Sequence, residues 1–280
     1  MKITVIGLGL IGGSMAIDLR AKGLASSIEG VDNNPAHGKL AVELGLVDKF
    51  APLEEAVKNA DVVIVSIPVN AIQTFLPGLL DIIESETVVI DTGSTKSAIC
   101  KSVTAHSKRN QLVAAHQIAG TENSGPSAAF AGLFVGKTNI VCEKSKSSET
   151  ALLRAQQLFD ALGLNTIFME AEEHDKHVAY VSHLSHVSSF LLGQTVLDIE
   201  KDEKNIFNLA GSGFASTVRL AKSSPEMWAP IFEQNSEYLS QALLEYIMHL
   251  QRFHYHLMKR DTKELLSTMK KANEIRRILK

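Results

Sequence analysis

The chain has 280 residues, of which 45% are hydrophobic and 21% charged, with a formal net charge of −3. That length allows one large domain or two ordinary ones, each with its own core, and a balanced charge without a basic stripe argues against nucleic acid as a partner. Cys100 and Cys142 lie far apart without a C-x-x-C spacing, so neither a disulfide framework nor a thiolate metal site is indicated, and a reducing, cytoplasmic setting fits best.

In chain order, "KITVIG" (2–7) reads as a first strand. The run "ITVIGLGLIGGSMAI" has the apolarity of an export signal, but its glycines fall at meaningful positions and no small-residue cleavage site follows. No uninterrupted apolar stretch of about 18 residues occurs elsewhere, which argues against a membrane span. "SIEGVD" (27–32) is a second strand, and "ADVVIVSIP" (60–68) and "ETVVIDTGS" (86–94) are continuous apolar runs of the kind covered on both faces. "QLVAAH" (111–116), "TNIVCE" (138–143) and a last strand, "NTIFME", continue the parallel pattern. Between them, "GGSMAIDLRAKG" and "HGKLAVELG" carry helical spacing and end in glycine, and "SSETALLRAQQLFDALG" is a helix with Ser147 or Ser148 as its cap.

Near "EAEEHD" (170–175) the character changes to long helical pattern, interrupted by a glycine-containing break at 208–216 and a Ser-Ser-Pro turn at 223–225. The fold class expected is therefore α/β: a Rossmann-type parallel sheet over residues 1–171, followed by an all-helical C-terminal domain over 172–280. The helical part is too apolar for a lone bundle of its size, which points to a homodimer formed through it.

"GLGLIG" places Gly7, Leu8, Gly9, Leu10, Ile11 and Gly12 between a strand and a helix. In this context Gly7 permits a tight turn, Gly9 lets the backbone approach a pyrophosphate, and Gly12 packs helix against strand. The helix start offers free N–H groups to phosphate. Asp32 ends the second strand 20 residues after Gly12, where an acid bonds the ribose 2′-hydroxyl and repels a 2′-phosphate; NAD is the expected cofactor rather than NADP. Ser66, Ile67 and Pro68, at another strand end, should border the same crevice. The rival reading, in which the glycines serve only packing and Asp32 only a turn, requires strand, fingerprint and acid to fall in register without a ligand.

A hydride-transfer site needs a base for the hydroxyl proton. His116 stands at a strand end facing that crevice, and Ser94, also at a strand end, is placed to orient a nicotinamide; a structural role for the His116 ring remains the alternative. His174, His177, His183 and His186 form a cluster, but on one helix the first and last lie about 18 Å apart and the two pairs project in nearly opposite directions, so one helix cannot gather them around a metal. Arg219 is either a solvated helix residue or a bidentate clamp for a carboxylate, a contact worth about 1.5 to 3 kcal/mol.

With "VIGLGLIGGS", "DTGSTK" (91–96), "HQIAGTENSG" (116–125), "HLSH" (183–186) and "GFASTVRLAKSSPEMW" (213–228) in this order, the chain resembles the prephenate dehydrogenase family over nearly its whole length. The resemblance implies oxidative decarboxylation: hydride passes from C4 of prephenate to NAD, CO2 departs and 4-hydroxyphenylpyruvate remains, driven by aromatisation. By that pattern His116 accepts the C4 hydroxyl proton, Ser94 bridges His116 and the nicotinamide, Arg219 holds a substrate carboxylate, and His186 lines the pocket. Thr121 and Glu122 match the bordering loop. His174 and Trp228 resemble the supporting residues around the arginine, the tryptophan as one supplied by the other subunit.

Gln117 departs from the proline usual in the family, restoring a backbone donor and adding an amide with reach to a substrate. Arogenate, or dual use of both substrates, is therefore a live alternative. A 3-hydroxyacid dehydrogenase shares the two-domain plan but presents a lysine where this chain offers histidines, and a nucleotide-sensing module would bind cofactor without turnover. The chain ends at Lys280 with no room for an appended regulatory domain or a fused chorismate mutase, so feedback by tyrosine is expected to act at the active site or the interface.

Overall fold

A computed structural model describes residues 1–203 and 205–278. The chain divides into two compact units, Met1–Asn235 and Ser236–Lys280. The first begins with β1 (Lys2–Ile6), α1 (Leu10–Ala21), β2 (Ser27–Val31), α2 (Pro35–Glu43), β3 (Lys49–Phe50) and α3 (Leu53–Ala56). It continues with β4 (Val62–Val65), α4 (Val69–Ile82), β5 (Val88–Asp91), α5 (Ser97–Ser102), β6 (Leu112–Gln117), β7 (Thr138–Cys142), α6 (Glu149–Ala161) and β8 (Asn165–Met169). All eight strands form one sheet in the order β3-β2-β1-β4-β5-β6-β7-β8.

The anticipated strands are all present, with two differences. The two-residue β3 pairs with Glu29 and Gly30; it is too short to carry a period of its own. β7 runs antiparallel to β6, while β8 returns parallel to β7. A parallel partner needs a crossover, usually a helix, and residues 118–137 contain only a short turn of 3-10 helix at Pro126–Ala128. That connection instead folds back as a long hairpin.

β1, β4 and β5 are buried on both faces, which explains their unbroken apolar runs. One face packs Ile3, Val5, Ile64 and Ile90 with Met15 and Leu19 of α1 and Leu158 of α6. The other packs Ile6, Val63, Val65 and Val89 with Ile72 and Leu76 of α4 and Ile99 of α5. Truncating one such side chain to alanine typically costs about 2–5 kcal/mol. Of the two candidate caps for α6, Ser148 is the one used, its hydroxyl accepting from the Ala151 N–H at 3.2 Å.

After β8 the described residues are helices and turns: α7 (Ala171–Val178), a π-helical turn (Ala179–His183), α8 (Leu184–Glu200), α9 (Ser212–Thr217) and α10 (Pro225–Gln234). The π turn changes the helical phase. His174 and His183 are nine residues apart, two and a half turns of regular helix, and so would face opposite ways. A π turn carries an extra residue and retards everything after it. Both histidines join one buried cluster, in which Asn235 Nδ2 donates to the Asp175 carbonyl at 2.7 Å and to His183 Nδ1 at 3.1 Å.

The second unit is a helix pair, α11 (Ser236–Met258) and α12 (Thr262–Ala272), joined through Arg260 at φ +52° and capped by Asp261, which accepts from the Glu264 N–H. Met248, Leu250, Leu257 and Met258 are exposed along α11. No helix among the described residues is long and apolar enough to cross a membrane.

Candidate active site

β1 and β4 are neighbours in the sheet although β2 and β3 intervene in sequence. Ligands of such sheets collect in the crevice beyond the carboxyl ends at this switch point. Gly7, just past β1, has φ +91°, and a Cβ there would lie 2.4 Å from the Ser66 carbonyl oxygen past β4. A Cβ on Gly12 would lie 2.2 Å from the Gly7 carbonyl oxygen, so these two glycines are required for the chain to close on itself. Gly9 differs: the nearest atom to its Cβ position is Gly125 N at 4.0 Å, which leaves its backbone approachable.

Leu10 is buried and Ile11 half-buried at the start of α1, whose first turn holds no acidic residue to repel a phosphate. Asp32 accepts from the Leu8 N–H at 3.0 Å and the Asn34 N–H at 2.9 Å, fixing its carboxylate against the glycine-rich turn. On the facing side Thr92 Oγ1 donates to Ser66 Oγ at 3.0 Å; Ile67 is half-buried and Pro68 precedes α4. An open-backed glycine, a free helix N-terminus and a fixed acid together fit a dinucleotide with an unmodified ribose.

His116, 8% exposed, lies near the carboxyl end of β6. Its Nδ1 is 2.8 Å from His174 Nε2, and His174 Nδ1 is 2.7 Å from Asp175 Oδ1. Asp175 also accepts from the backbone N–H groups of Lys96 (2.7 Å) and Ser97 (2.8 Å) at the start of α5. Below this chain, the fully buried Lys96 ammonium bonds the Asp91 carboxylate and the Ala115 carbonyl. Ser94 is half-buried in the turn between β5 and α5 that Lys96 anchors.

Burial, then the neighbouring His174, Lys96 and His183, hold the His116 pKa well below the usual imidazole value. Burial also lowers His174 against the opposing pull of Asp175. Burial alone would raise Asp175, but the His174 hydrogen bond and the Ser97 and Lys96 N–H groups outweigh it, and its net shift is downward. The His116 ring is therefore held as a neutral imidazole at neutral pH.

A second cluster gathers other residues singled out by sequence. Arg219, at the turn after α9, pairs with Glu122 at 3.1 Å. Glu122 is held below its usual pKa first by its own backbone N–H and then by Arg219 and Lys222. Beside it, Thr121 Oγ1 accepts from the Asn123 N–H. His186 bonds the Ser182 carbonyl through Nδ1 and stacks on Trp228 of the same chain, with ring centroids 3.5 Å apart and 25° between planes. Burial and the Arg219 charge lower the His186 pKa.

Gln117 and His174 are placed differently from expectation. Adjacent strand residues face opposite ways, and Gln117 points across the sheet from His116, its Nε2 donating to Asn139 Oδ1 at 2.9 Å. At 4% exposure its amide belongs to the sheet interior and not to a substrate pocket. His174 serves as the hydrogen-bond partner of His116 and not as support for Arg219. Sequence reasoning missed Asp175, Lys96, Asp91 and Asn235. Asp175 carried a signal as the residue beside a singled-out histidine, and Asp91 and Lys96 as the two ends of the "DTGSTK" motif; Asn235 carried none.

Comparison with known proteins bears on all of this. The family model described as prephenate dehydrogenase, nucleotide-binding domain, matches residues 15–168, and that described as prephenate dehydrogenase, dimerization domain, matches residues 170–271. The first match begins past Gly12, so the glycine-rich turn stands as separate support. The cyclohexadienyl dehydrogenase of Zymomonas mobilis is 29% identical over 280 residues, covering 99% of this chain and 96% of that protein. Among solved structures, prephenate dehydrogenase from Aquifex aeolicus in complex with hydroxyphenyl propionate and NAD+ has a TM-score of 0.89 at 29% identity, covering 99% of this chain and 98% of that one. Synechocystis arogenate dehydrogenase has a TM-score of 0.77 at 28% identity, covering 99% of each chain. Two family models in tandem span residues 15–271, and the chain belongs to the prephenate dehydrogenase family.

Proposed function

We propose that this protein catalyses the NAD-dependent oxidative decarboxylation of prephenate to 4-hydroxyphenylpyruvate in the cytoplasm, as a step of tyrosine biosynthesis. Residues 1–171 are assigned to the cofactor and 172–280 to substrate binding and dimerisation. The observation that carries this reading is a neutral, hydrogen-bonded His116 at a strand end on the carboxyl side of the sheet that bears the dinucleotide crevice.

Bound NAD supplies the hydride acceptor. The rest falls to the chain's own groups. His116 takes the proton of the C4 hydroxyl, and Ser94 orients the hydroxyl and the ring beside it. Arg219 clamps a substrate carboxylate after parting from Glu122, with Thr121 and Glu122 at the edge of the site. His186, stacked on Trp228, provides an apolar wall. Loss of CO2 is driven by aromatisation, so the protein need only orient and desolvate. The exposed apolar side chains of α11 support a homodimer through the helical part.

A second reading, use of arogenate alone or alongside prephenate, is favoured by the likeness to proteins named cyclohexadienyl and arogenate dehydrogenase. Steady-state rates of the purified protein with prephenate and with arogenate, each with NAD and with NADP, separate the two. Rapid NADH formation with prephenate is the expected result. Turnover only with arogenate would replace the reading, and turnover with neither would overturn it.

A further inference from the structure

We infer that Asp175 acts through His174 as a positioning pair that decides which nitrogen of His116 carries the ring proton, leaving Nε2 of His116 bare toward the substrate. The inference deepens the proposed function and rests on it for the role of His116.

The hydrogen-bond chain is fixed at its Asp175 end. Among the described residues the Asp175 carboxylate bonds three nitrogens: the backbone N–H groups of Lys96 and Ser97, and the ring of His174. A carboxylate so surrounded by donors is an acceptor, so His174 Nδ1 must bear a proton. A neutral imidazole has only one, which leaves His174 Nε2 as a lone pair. The 2.8 Å contact then requires His116 Nδ1 to donate, and its Nε2 is left unprotonated.

The opposite direction fails at its far end. If His116 Nδ1 accepted, His174 would present a bare Nδ1 to Asp175 at 2.7 Å, lone pair against lone pair. At 2.7 Å no water fits between the two, and both are buried, His174 at 0% and Asp175 at 2% exposure. Charged and titratable groups facing the two rings are Lys96, whose charge is matched by Asp91, and His183, held near neutral by burial at a pKa of about 4. Asn235 closes the other side by bonding both the Asp175 carbonyl and His183. Once His116 Nε2 gains a proton, the buried carboxylate two bonds away along the chain stabilises the cation.

The test begins with the unaltered protein. Long-range proton–nitrogen NMR of histidine-labelled protein at neutral pH, assigned with His116→Gln, reads each ring's tautomer without reference to any substrate. The proton is expected on Nδ1 of both His116 and His174; a proton on His116 Nε2 would overturn the inference. Asp175→Asn supplies the second arm. With its NH2 turned toward His174, at the cost of the bond from the Lys96 N–H, the chain reverses and His116 is protonated on Nε2, and kcat should then fall on the order of 10²- to 10⁴-fold with NAD affinity retained. Full activity with the reversed tautomer would refute the positioning role. Failure of the protein to turn over any substrate while the expected tautomers are observed would count against the proposed function and leave the tautomer assignment supported.

Discussion

Replacing Lys96 by methionine should destabilise the protein by about 3–5 kcal/mol, the usual loss when one partner of a buried ion pair is removed. Both Lys96 and Asp91 side chains are 0% exposed. The ammonium bonds the Asp91 carboxylate and the Ala115 carbonyl, while Asp91 Oδ1 also accepts from the Gly93 N–H at 3.0 Å. Asp91 Oδ2 has no hydrogen-bond partner among the described residues. Without the ammonium, a buried carboxylate keeps one neutral donor for two oxygens. Methionine nearly matches the volume of the lysine stem, so the measured loss reports charge rather than packing. Adding Asp91→Asn should recover most of it, since the amide can still accept from Gly93 and no longer carries a charge. Urea unfolding followed by circular dichroism, with free energies taken from midpoints at equal slope, measures both variants. A loss under about 1 kcal/mol for Lys96→Met, or a double variant no better than the single, would refute the reasoning.

The other expectations concern the site. His116→Asn should lower turnover about 10²- to 10⁴-fold and leave NAD binding, read by cofactor fluorescence titration, nearly intact; unchanged turnover removes His116 from the mechanism. Arg219→Ala should raise KM for substrate about 10- to 100-fold, from a charge-assisted clamp of about 1.5–3 kcal/mol, and a comparable loss of NAD affinity would show the arginine serves the cofactor. Gln117→Leu should leave the ratio of prephenate to arogenate turnover unchanged, because the amide is bonded to Asn139; a marked change would return it to the pocket. Stability should fall as the solution is acidified below about pH 6.5, because the unfolded chain protonates histidines that the fold keeps neutral. For His183, with its pKa near 4, the loss amounts to roughly 3 kcal/mol and is complete once the pH has passed below that value. Equal unfolding free energies at pH 7 and 4.5 would contradict this.

Much of the fold was legible because it is written in local pattern. Continuous apolar runs marked β4 and β5, and a glycine spacing between strand and helix marked the crevice. Alternation along β6 also sufficed, in principle, to place Gln117 on the face opposite His116. The direction of β7 was readable in the same way, from the lack of a helix in the connection before it. What sequence could not supply were pairings across long separations: Asp175 meets residues 96 and 97 through contacts 79 and 78 positions apart, and no periodicity marks a lysine destined for complete burial. The approach of His174 and His183 was not legible either, because no local pattern marks the π turn at residues 179–183.

That π turn has a consequence for how the site tolerates change in length. Deleting one residue within it would regularise the helix and leave α8 at its present angle, because the turn already holds the extra residue; deleting a second would swing α8 by about 100°, the angle per residue of an α-helix. His183 would leave Asn235, and the ring of His186 would no longer lie flat on Trp228. The five residues there act as an indexing step: their number, more than their chemical kind, sets which side chains meet Asn235 and Trp228.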